Sequence, residues 1–371
     1  MPANALQVKR GTPPKLKQLI DLVDMVMRRN APRGYGMGDE FPHLFSRENV
    51  SNLYYIEKNG KPVSHVGFVK YRCNLNGPVI SVASVGSVAT LAEYRGRRYA
   101  THLLKSVLQK MERDNISLLL VSGTRSLYKR LDCVETGRVF NVTIPETALD
   151  GISRDELFKV RHIRAGRRKD EAGRILKVYM TEPYRYLRDI TFMKMILDAF
   201  WFRRFDWNMQ LFEIVNGNEL LAYAVAYTEK NKEGKVKIWE WAGSRYALLS
   251  SLRDIMTHFG AKMIEFNFIP DDLNMLSLVE SCGIKPAVRR TQGTVRPMNV
   301  SLLIEELQPW FIEHLGGEVQ VKAYKTDRWT FRGAFGVKKI RGRRELAEWL
   351  FGTGTNSLGM QLMITDDLNY V

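Results

Sequence analysis

The stretch that decides the fold is Val85–Thr101, which reads VGSVATLAEYRGRRYAT. Its first residues belong to the apolar run Val79–Thr90, and this run predicts one or two buried strands. A helix is predicted to follow at once, because the apolar residues from Leu103 to Met111 fall on one helical face. The turn between strand and helix contains one glycine, Gly96, among three arginines. The sequence thus predicts a buried strand, a tight basic turn and an amphipathic helix in succession.

This turn is suited to hold a diphosphate. The first amides of a helix have no partner within the helix, and the helix dipole favours an anion there. Gly96 permits a close approach of the backbone, and Arg95, Arg97 and Arg98 add positive charge. Ala100 is small enough for a ligand to lie against the start of the helix. The same residues would also suit a basic turn that only precedes an ordinary helix.

The stretch resembles the acyl-CoA motif of the GNAT superfamily of N-acetyltransferases, which is (Gln/Arg)-x-x-Gly-x-(Gly/Ala) after a strand. Arg95 and Ala100 match its first and last positions, whereas Arg98 stands where the family usually has glycine. The resemblance implies that acetyl-CoA is a co-substrate, that the strand backbone pairs with its pantetheine arm and that the turn amides hold its diphosphate. The implied cofactor-binding residues are Val88, Ala89, Thr90, Arg95, Gly96, Arg97, Arg98, Tyr99, Ala100 and Thr101.

The same resemblance implies a general acid. The segment from Ser122 to Cys133, beyond the short apolar strand Ile116–Val121, resembles the family segment in which a tyrosine follows the fifth strand. Tyr128 is then the candidate that protonates the leaving thiolate. Core packing with a hydrogen-bonded hydroxyl is the alternative for this tyrosine.

The order of elements predicts a duplication. Residues 211–282 repeat the order hairpin, strand, helix, strand and helix of the first segment, but Ala242–Tyr246 stands in place of the basic turn. We predict an α/β (α+β) fold with two GNAT-like mixed sheets, flanking helices and a small α+β C-terminal domain. The predicted domains are 1–149, which binds acetyl-CoA, 150–294, which lacks the CoA loop, and 295–371.

This layout resembles the enhanced-intracellular-survival (Eis) type of acetyltransferase, whose third domain resembles a sterol carrier protein. The resemblance implies a homo-oligomer, and it implies that the terminal carboxylate of Val371 is the general base, with Tyr370 packed nearby. A plain docked tail is the alternative. Asp39, Glu40, His65 and His102 are other candidates for the base, although a structural role is expected for both histidines.

Charge and composition bear on the alternative functions of the chain. The chain has 371 residues, 56 Lys and Arg against 40 Asp and Glu, and a net charge of +16, which favours anionic partners. The basic cluster Lys159–Lys169 could be a connection between domains or a solvated surface. The alternative function is therefore charge-driven binding of nucleic acid without catalysis, although no sequence-specific motif for it is present. A lipid or sterol carrier built on the C-terminal domain is a third possibility.

Several classes are not expected. No apolar run is long enough for a membrane span, no secretory signal is visible, and the three cysteines are far apart, which together predict a cytoplasmic protein with no membrane partner. No cluster of His, Cys and Asp has the spacing of a metal site, so no metal is predicted. The expected acceptor is an amine such as an aminoglycoside, a polyamine or a lysine side chain.

Overall fold

The computed structural model describes residues 7–32, 34–152, 156–164, 168–202, 207–229, 234–365 and 367–371. The chain forms two compact units. The first comprises Met1–Glu135, Gly293–Leu350 and Val371, and the second comprises Thr136–Gln292 and Phe351–Tyr370. The division into three domains at 149/150 and 294/295 stays a prediction.

The elements are numbered in chain order. The strands are β1 (Lys9–Arg10), β2 (Leu53–Lys58), β3 (Lys61–Leu75), β4 (Val79–Thr90), β5 (Leu118–Val121), β6 (Arg138–Pro145), β7 (Phe158–Ile163), β8 (Tyr184–Tyr186), β9 (Trp207–Asn216), β10 (Glu219–Glu229), β11 (Lys235–Gly243), β12 (Met263–Phe268), β13 (Ala287–Arg290), β14 (Thr294–Pro297), β15 (Gln320–Lys325), β16 (Arg328–Gly333) and β17 (Gly336–Arg341). The helices are α1 (Leu16–Met27), α2 (Met37–Glu40), α3 (Tyr99–Arg113), α4 (Ser126–Lys129), α5 (Arg168–Tyr179), α6 (Ile190–Ala199), α7 (Arg245–Ser250), α8 (Leu252–Phe259), α9 (Leu273–Ser281), α10 (Val300–Glu306), α11 (Gln308–Leu315) and α12 (Arg343–Phe351).

The first unit is built on a mixed sheet in the order β1-β2-β3-β4-β5-β14. Only the pairing of β4 with β5 is parallel in this order, and the other pairs are antiparallel. The apolar face of α3 packs on this sheet, because Leu103, Val107 and Met111 share one buried cluster with Phe68 and Val85. The predicted amphipathic helix after the basic turn is therefore present and covers the sheet.

The second unit repeats the central part of this arrangement. Its sheet has the order β13-β6-β12-β11-β10-β9-β7. Within it, β9, β10, β11 and β12 are joined as β2, β3, β4 and β5 are, with two antiparallel pairs followed by one parallel pair. Next to each parallel pair lies an antiparallel strand that is distant in sequence, β14 beside β5 and β6 beside β12, and in the second sheet β13 follows β6. The fold thus contains two mixed sheets of like topology.

The C-terminal part of the first unit adds a third, smaller sheet in the order β15-β16-β17. Its buried Phe331 packs against Trp349 of α12, with ring centroids 4.8 Å apart. The predicted fold class, two mixed sheets with flanking helices plus a small α+β C-terminal part, is confirmed.

The basic cluster has a more regular structure than we expected. Phe158–Ile163 form the edge strand β7, which pairs with β9, rather than a connection between domains. Lys159 and Arg161 are exposed and alternate with half-buried apolar residues. This alternation is typical of an edge strand with one face in water. Arg167 lies outside the described residues.

Strand β4 carries a bulge at Ser87. Two residues of β4, Ser87 and Val88, stand opposite one residue of β3, because the register passes from Gly67↔Gly86 to His65↔Ala89. Ser87 has a φ of 54°, in the left-handed region that glycine usually occupies. Such a bulge bends the strand and re-aims the residues that follow it.

The bulge is held by the imidazole of His65. Its Nδ1 lies 2.8 Å from the carbonyl oxygen of Ser87, so Nδ1 carries the proton and donates it. His65 is fully buried and its ring stacks on Phe45 at 5.8 Å. Burial lowers the pKa of His65 from 6.5 to about 4, although the hydrogen bond to Ser87 acts in the opposite direction. The residue is therefore a neutral structural donor at neutral pH.

We predict that His65 makes the protein sensitive to mild acid. The unfolded chain binds a proton below pH 6.5 and the folded chain only near pH 4, so stability falls as the pH falls through this window. Between these two pH values, His65 should lower the free energy of unfolding by about 1.4 kcal/mol for each unit by which the pH falls. In His65→Asn the amide can still donate to Ser87, and this part of the pH dependence should vanish.

Urea unfolding at pH 7, 6 and 5 gives the free energy of unfolding of the native protein and of His65→Asn. The effect is the difference between the slopes of this free energy against pH. His102→Asn, on the exposed side of α3, is the matched control and should keep the native slope. An unchanged pH slope in His65→Asn would show that His65 does not titrate between the folded and unfolded states.

Candidate active site

The paired strands β4 and β5 separate after four residue pairs. Their parallel register runs from Val82↔Leu118 to Val85↔Val121, where β5 ends, whereas β4 continues to Thr90. Beyond Val85, β4 still pairs with β3 but no longer with β5. The edge of Gly86–Thr90 that faces away from β3 is therefore not covered by β5. The bulge lies in this uncovered part of β4.

Val371 occupies the start of this opening. The hydroxyl of Ser122, directly after β5, donates a hydrogen bond to the main-chain oxygen of Val371 at 3.2 Å. On the other side, a Cβ at Gly86 would lie 2.8 Å from the main-chain carbon of Val371, so only glycine leaves room there. Val371 is 5% exposed. The structure thus places Val371 between β4 and the residue that follows β5.

Tyr128 lies on the short helix α4, which follows β5. Its side chain is 7% exposed and belongs to the same buried cluster as Val121. A Cβ at Gly123 would lie 2.8 Å from its ring carbon Cε2. The adjacent residues Ser122 and Gly123 therefore contact the two groups that the sequence analysis selected, Val371 and Tyr128.

The predicted diphosphate turn has a left-handed backbone at two positions. Gly96 has a φ of 77°, and Arg98, at the N-cap of α3, has φ 61° and ψ 17°. The left-handed Arg98 explains why glycine is usual at this position of the motif. A turn of this kind directs successive N–H groups toward one side, where they can surround an anion. Arg98, the N-cap residue of α3, makes no side-chain cap hydrogen bond to the first turn.

The arginines of the turn are exposed. Arg95 donates from Nε to the carbonyl oxygen of Thr90 at 3.2 Å, which ties the turn to the end of β4. The guanidinium of Arg97 lies 5.2 Å from the ring centroid of Tyr94. Arg98 and Arg97 project into solvent, where they can add charge around a phosphate. The predicted cofactor residues Val88, Ala89, Thr90, Tyr99, Ala100 and Thr101 lie on the uncovered end of β4 and the first turn of α3.

A groove of about 640 Å³ opens between the end of α1 and the residues that follow β4. That volume is in the range of about 300–1,000 Å³ that small-molecule sites have. The lining includes Asp24, Glu93, Arg29 and Arg95, and thus both signs of charge. The groove reaches the predicted diphosphate turn through Arg95.

Three of the four other candidate bases make contacts within the protein. Glu40 is fully buried and forms a two-point ion pair with Arg28, which donates from Nε at 2.8 Å. The carboxylate of Asp39 accepts a hydrogen bond from the backbone of Gly36 at 3.4 Å, at the start of α2. His65 holds the bulge, and His102 is exposed on α3.

Sequence reasoning missed Gly86, Ser87, Ser122 and Gly123. A glycine inside an otherwise apolar strand is a signal of a bulge or of a close backbone approach, and Gly86 carried that signal. Nothing in the sequence pairs Ser122 with the last residue of the chain, because that contact joins positions 249 residues apart.

The second unit lacks the features of this turn. The helix that follows β11 is only six residues long, and Ser244 caps it by accepting from the amide of Ala247 at 3.2 Å. The guanidinium of Arg245 is bound by the carboxylates of Glu182 at 2.7 Å and Asp272 at 2.8 Å. Its charge is thus neutralised internally, and the amide that an anion would use is already occupied.

The residues that precede Val371 are held by a buried network in the second unit. Arg188 donates to both oxygens of Glu240 at 2.7 Å and from Nε to Asn369 at 2.7 Å. Glu240 also accepts from the hydroxyl of Tyr223 and from the amide of Leu368. Burial opposes the charge of Glu240, but the Arg188 guanidinium and these hydrogen bonds outweigh it and lower the pKa of that carboxyl. The chain is therefore fixed at residues 368 and 369.

No described helix combines the length and the apolar character that a bilayer crossing requires. Within the same residues, no group of three or more His, Cys, Asp or Glu side chains could hold a metal ion.

Comparison with known proteins finds a family match for the first part of the chain. Residues 7–135 match the model of an acetyltransferase (GNAT) domain family. No curated protein sequence matches the chain.

Solved structures extend the likeness to most of the chain. A probable N-acyltransferase from Enterococcus faecalis has a TM-score of 0.66 at 15% identity, covering 91% of this chain and 86% of its own. A GCN5-related N-acetyltransferase from Anabaena variabilis has a TM-score of 0.63 at 13% identity, covering 91% and 85%. Eis1 from Mycobacterium abscessus has a TM-score of 0.63 at 9% identity, covering 95% and 90%. Residues 7–135 thus match the model of a GNAT acetyltransferase domain, and over most of its length the chain has the fold of these solved structures.

Proposed function

We propose that the first unit moves an acetyl group from acetyl-CoA to a primary amine by direct attack. The observation that carries this proposal is the opening between β4 and β5, which has a diphosphate-type turn at one end and Tyr128 and Val371 beside it. The match of residues 7–135 to a GNAT domain supports acyl transfer from an acyl-CoA. The choice of acetyl and of an amine is our proposal.

The residues are suited to bind such a co-substrate. The uncovered edge of Val88, Ala89 and Thr90 can pair with an extended amide chain, as an additional strand would. The amides from Gly96 to Thr101 are available for a diphosphate, with Arg95, Arg97 and Arg98 adding charge. The acetyl-CoA supplies an activated acyl group as a thioester.

The proposed reaction has one bond-forming and one bond-breaking step at the carbonyl carbon. The amine nitrogen attacks that carbon, and a backbone amide of β4 near Ala89 or Thr90 stabilises the negative charge on oxygen. The carbon–sulfur bond then breaks, and Tyr128 gives its phenolic proton to the thiolate. The carboxylate of Val371 accepts the proton that the amine loses.

We propose an Eis-type protein, cytoplasmic and homo-oligomeric, whose acceptor is an aminoglycoside, a polyamine or a lysine side chain. The likeness to Eis1 concerns the fold, and it covers 95% of the chain. The sterol-carrier likeness of the C-terminal part and the absence of a metal also stay predictions.

We predict that removing the proposed acid and displacing or removing the proposed base each lower kcat. Tyr128→Phe removes the proton donor and should lower kcat about 100-fold, with acetyl-CoA binding unchanged. Gly86→Ala keeps every candidate group but pushes the main chain of Val371 away, and it should also lower kcat, as should deletion of Val371. Thiol release against a panel of amines measures kcat, and calorimetry measures acetyl-CoA binding.

The matched control is Gly151→Ala, because a Cβ there meets no atom within 4 Å. It should leave both measurements at the native value. A loss in Tyr128→Phe alone would place the base elsewhere. If the native protein releases no thiol with any amine and binds no acetyl-CoA, the proposed function is wrong.

We predict that Arg98→Gly is tolerated. Glycine relieves a left-handed backbone that costs an L-residue about 1–2 kcal/mol. Stability should therefore stay equal or rise, and the Kd for CoA should change less than threefold if the turn amides hold the diphosphate. Arg98→Ala removes the same charge but keeps the strain, which separates the two effects. A tenfold weaker Kd in both variants would show that the guanidinium is the main diphosphate ligand.

A further inference from the structure

Half of the net positive charge of the protein lies in one short segment. Residues 320–344 contain nine Lys and Arg against one acidic residue, Asp327, which accounts for +8 of the net charge of +16. The segment comprises the whole sheet β15-β16-β17 and the start of α12. Neither the proposed acyl transfer nor the candidate active site uses these residues.

The strand register gathers six of these cations on one face. Arg328 stands opposite Lys325 and Arg341, and Thr330 stands opposite Lys322 and Lys339. Side chains of one strand alternate between faces, so Arg328, Thr330 and Arg332 share a face with their cross-strand partners. We name this the cationic face, defined by Lys322, Lys325, Arg328, Arg332, Lys339 and Arg341. All six are exposed.

The opposite face of the sheet is the covered one. Trp329, Phe331 and Ile340 alternate with the cationic residues and are buried. Phe331 and Phe335 contact the ring of Trp349 on α12. The sheet therefore has one apolar face against a helix and one charged face in solvent.

The cationic face has no internal compensation. Among the residues that the structure describes, no carboxylate forms an ion pair with any of its six members, and Asp327 is bound to Arg343 at 2.9 Å. The row Lys325–Arg328–Arg341 places three like charges directly opposite one another across neighbouring strands, which destabilises a sheet. An anionic partner would remove this repulsion.

An aromatic ring stands among the cations. Tyr324 is the extra residue of a β15 bulge, between Ala323 and Lys325, and is 59% exposed. The ammonium of Lys322 lies 5.6 Å from its ring centroid, which places the ring beside the cationic face. Phosphate-binding cations together with an exposed ring for base stacking are the combination that single-stranded nucleic acid requires.

We propose that the cationic face binds single-stranded nucleic acid without sequence preference. Its Lys and Arg side chains contact successive phosphates, and Tyr324 stacks on one base. Neighbouring strands lie about 4.8 Å apart and alternate residues about 6.7 Å apart, so the charges form a grid that a flexible backbone can follow. This function is separate from acyl transfer and does not depend on it.

The test uses the full chain and a fluorescent single-stranded 20-nucleotide oligomer, in DNA and RNA forms, with anisotropy read between 50 and 200 mM salt. We expect binding whose affinity falls steeply with salt, with a log–log slope of about −0.7 for each phosphate contacted. The double variant Arg328→Gln/Arg341→Gln should bind at least tenfold more weakly at 100 mM salt and have a slope about 1.4 shallower. Tyr324→Ala should weaken binding at least fivefold and keep the native slope.

The matched control is Lys159→Gln/Arg161→Gln, which removes two exposed charges from the edge strand β7. It should bind within twofold of the native protein. Equal weakening by the control would mean that net charge alone attracts the oligomer, and would overturn the proposal. Tighter binding to phosphatidylserine vesicles than to the oligomer, lost in the same double variant, would assign the face to an acidic membrane and also overturn it.

Thiol release by the double variant separates this proposal from the proposed function. Native activity with weakened oligomer binding shows a folded protein that has lost only the cationic face. Native oligomer binding in Tyr128→Phe, whatever its catalytic rate, is expected because Tyr128 lies in a different buried cluster from the small sheet.

Discussion

The hydrogen bond from the His65 imidazole to the Ser87 carbonyl joins β3 and β4 where their regular pairing is interrupted. A serine in a left-handed conformation costs free energy, and the structure retains it because a fully buried donor satisfies its carbonyl. The bulge lies just beyond the last pair between β4 and β5, so the strand bends where its neighbour ends. The uncovered edge that could hold a ligand backbone therefore depends on one neutral imidazole.

The second unit shows what the same topology does without these features. Its parallel pair β11–β12 corresponds to β4–β5, but Arg245 after β11 is bound by Glu182 and Asp272, and Ser244 caps the short helix. A guanidinium that is already paired attracts an anion weakly, and a capped amide cannot bind one. The two units thus share a strand topology but differ in the side chains that follow the parallel pair, and this difference is why we propose the co-substrate site in the first unit alone.

Local signals were readable in the sequence, and distant pairings were not. The strand, the basic turn and the helix after Val79 follow from hydrophobic period and from Gly96, and the structure has them. The pairings of β6 with β12 and of β14 with β5 join segments more than 100 residues apart, and many alternatives share their apolar pattern. A structural role was expected for His65, but its partner Ser87 was not identified, because the two become neighbours only after β3 and β4 pair.

A basic protein is compatible with the cationic acceptor that we propose, because charge acts locally. Exposed charges separated by more than a Debye length, about 8 Å at physiological ionic strength, hardly affect one another. Half of the net charge lies in residues 320–344, and the side chains of the cationic face in this segment are exposed to solvent. The groove beside the candidate site contains Asp24 and Glu93 as well as arginines, so its local balance differs from that of the whole chain. Burial raises the pKa of Asp24, and its carboxylate accepts a hydrogen bond from the amide of Met37 at 2.7 Å. Asp24 therefore has a structural partner in the wall of the groove. Glu93 is exposed and is therefore the carboxylate of the groove that a protonated amine can reach first.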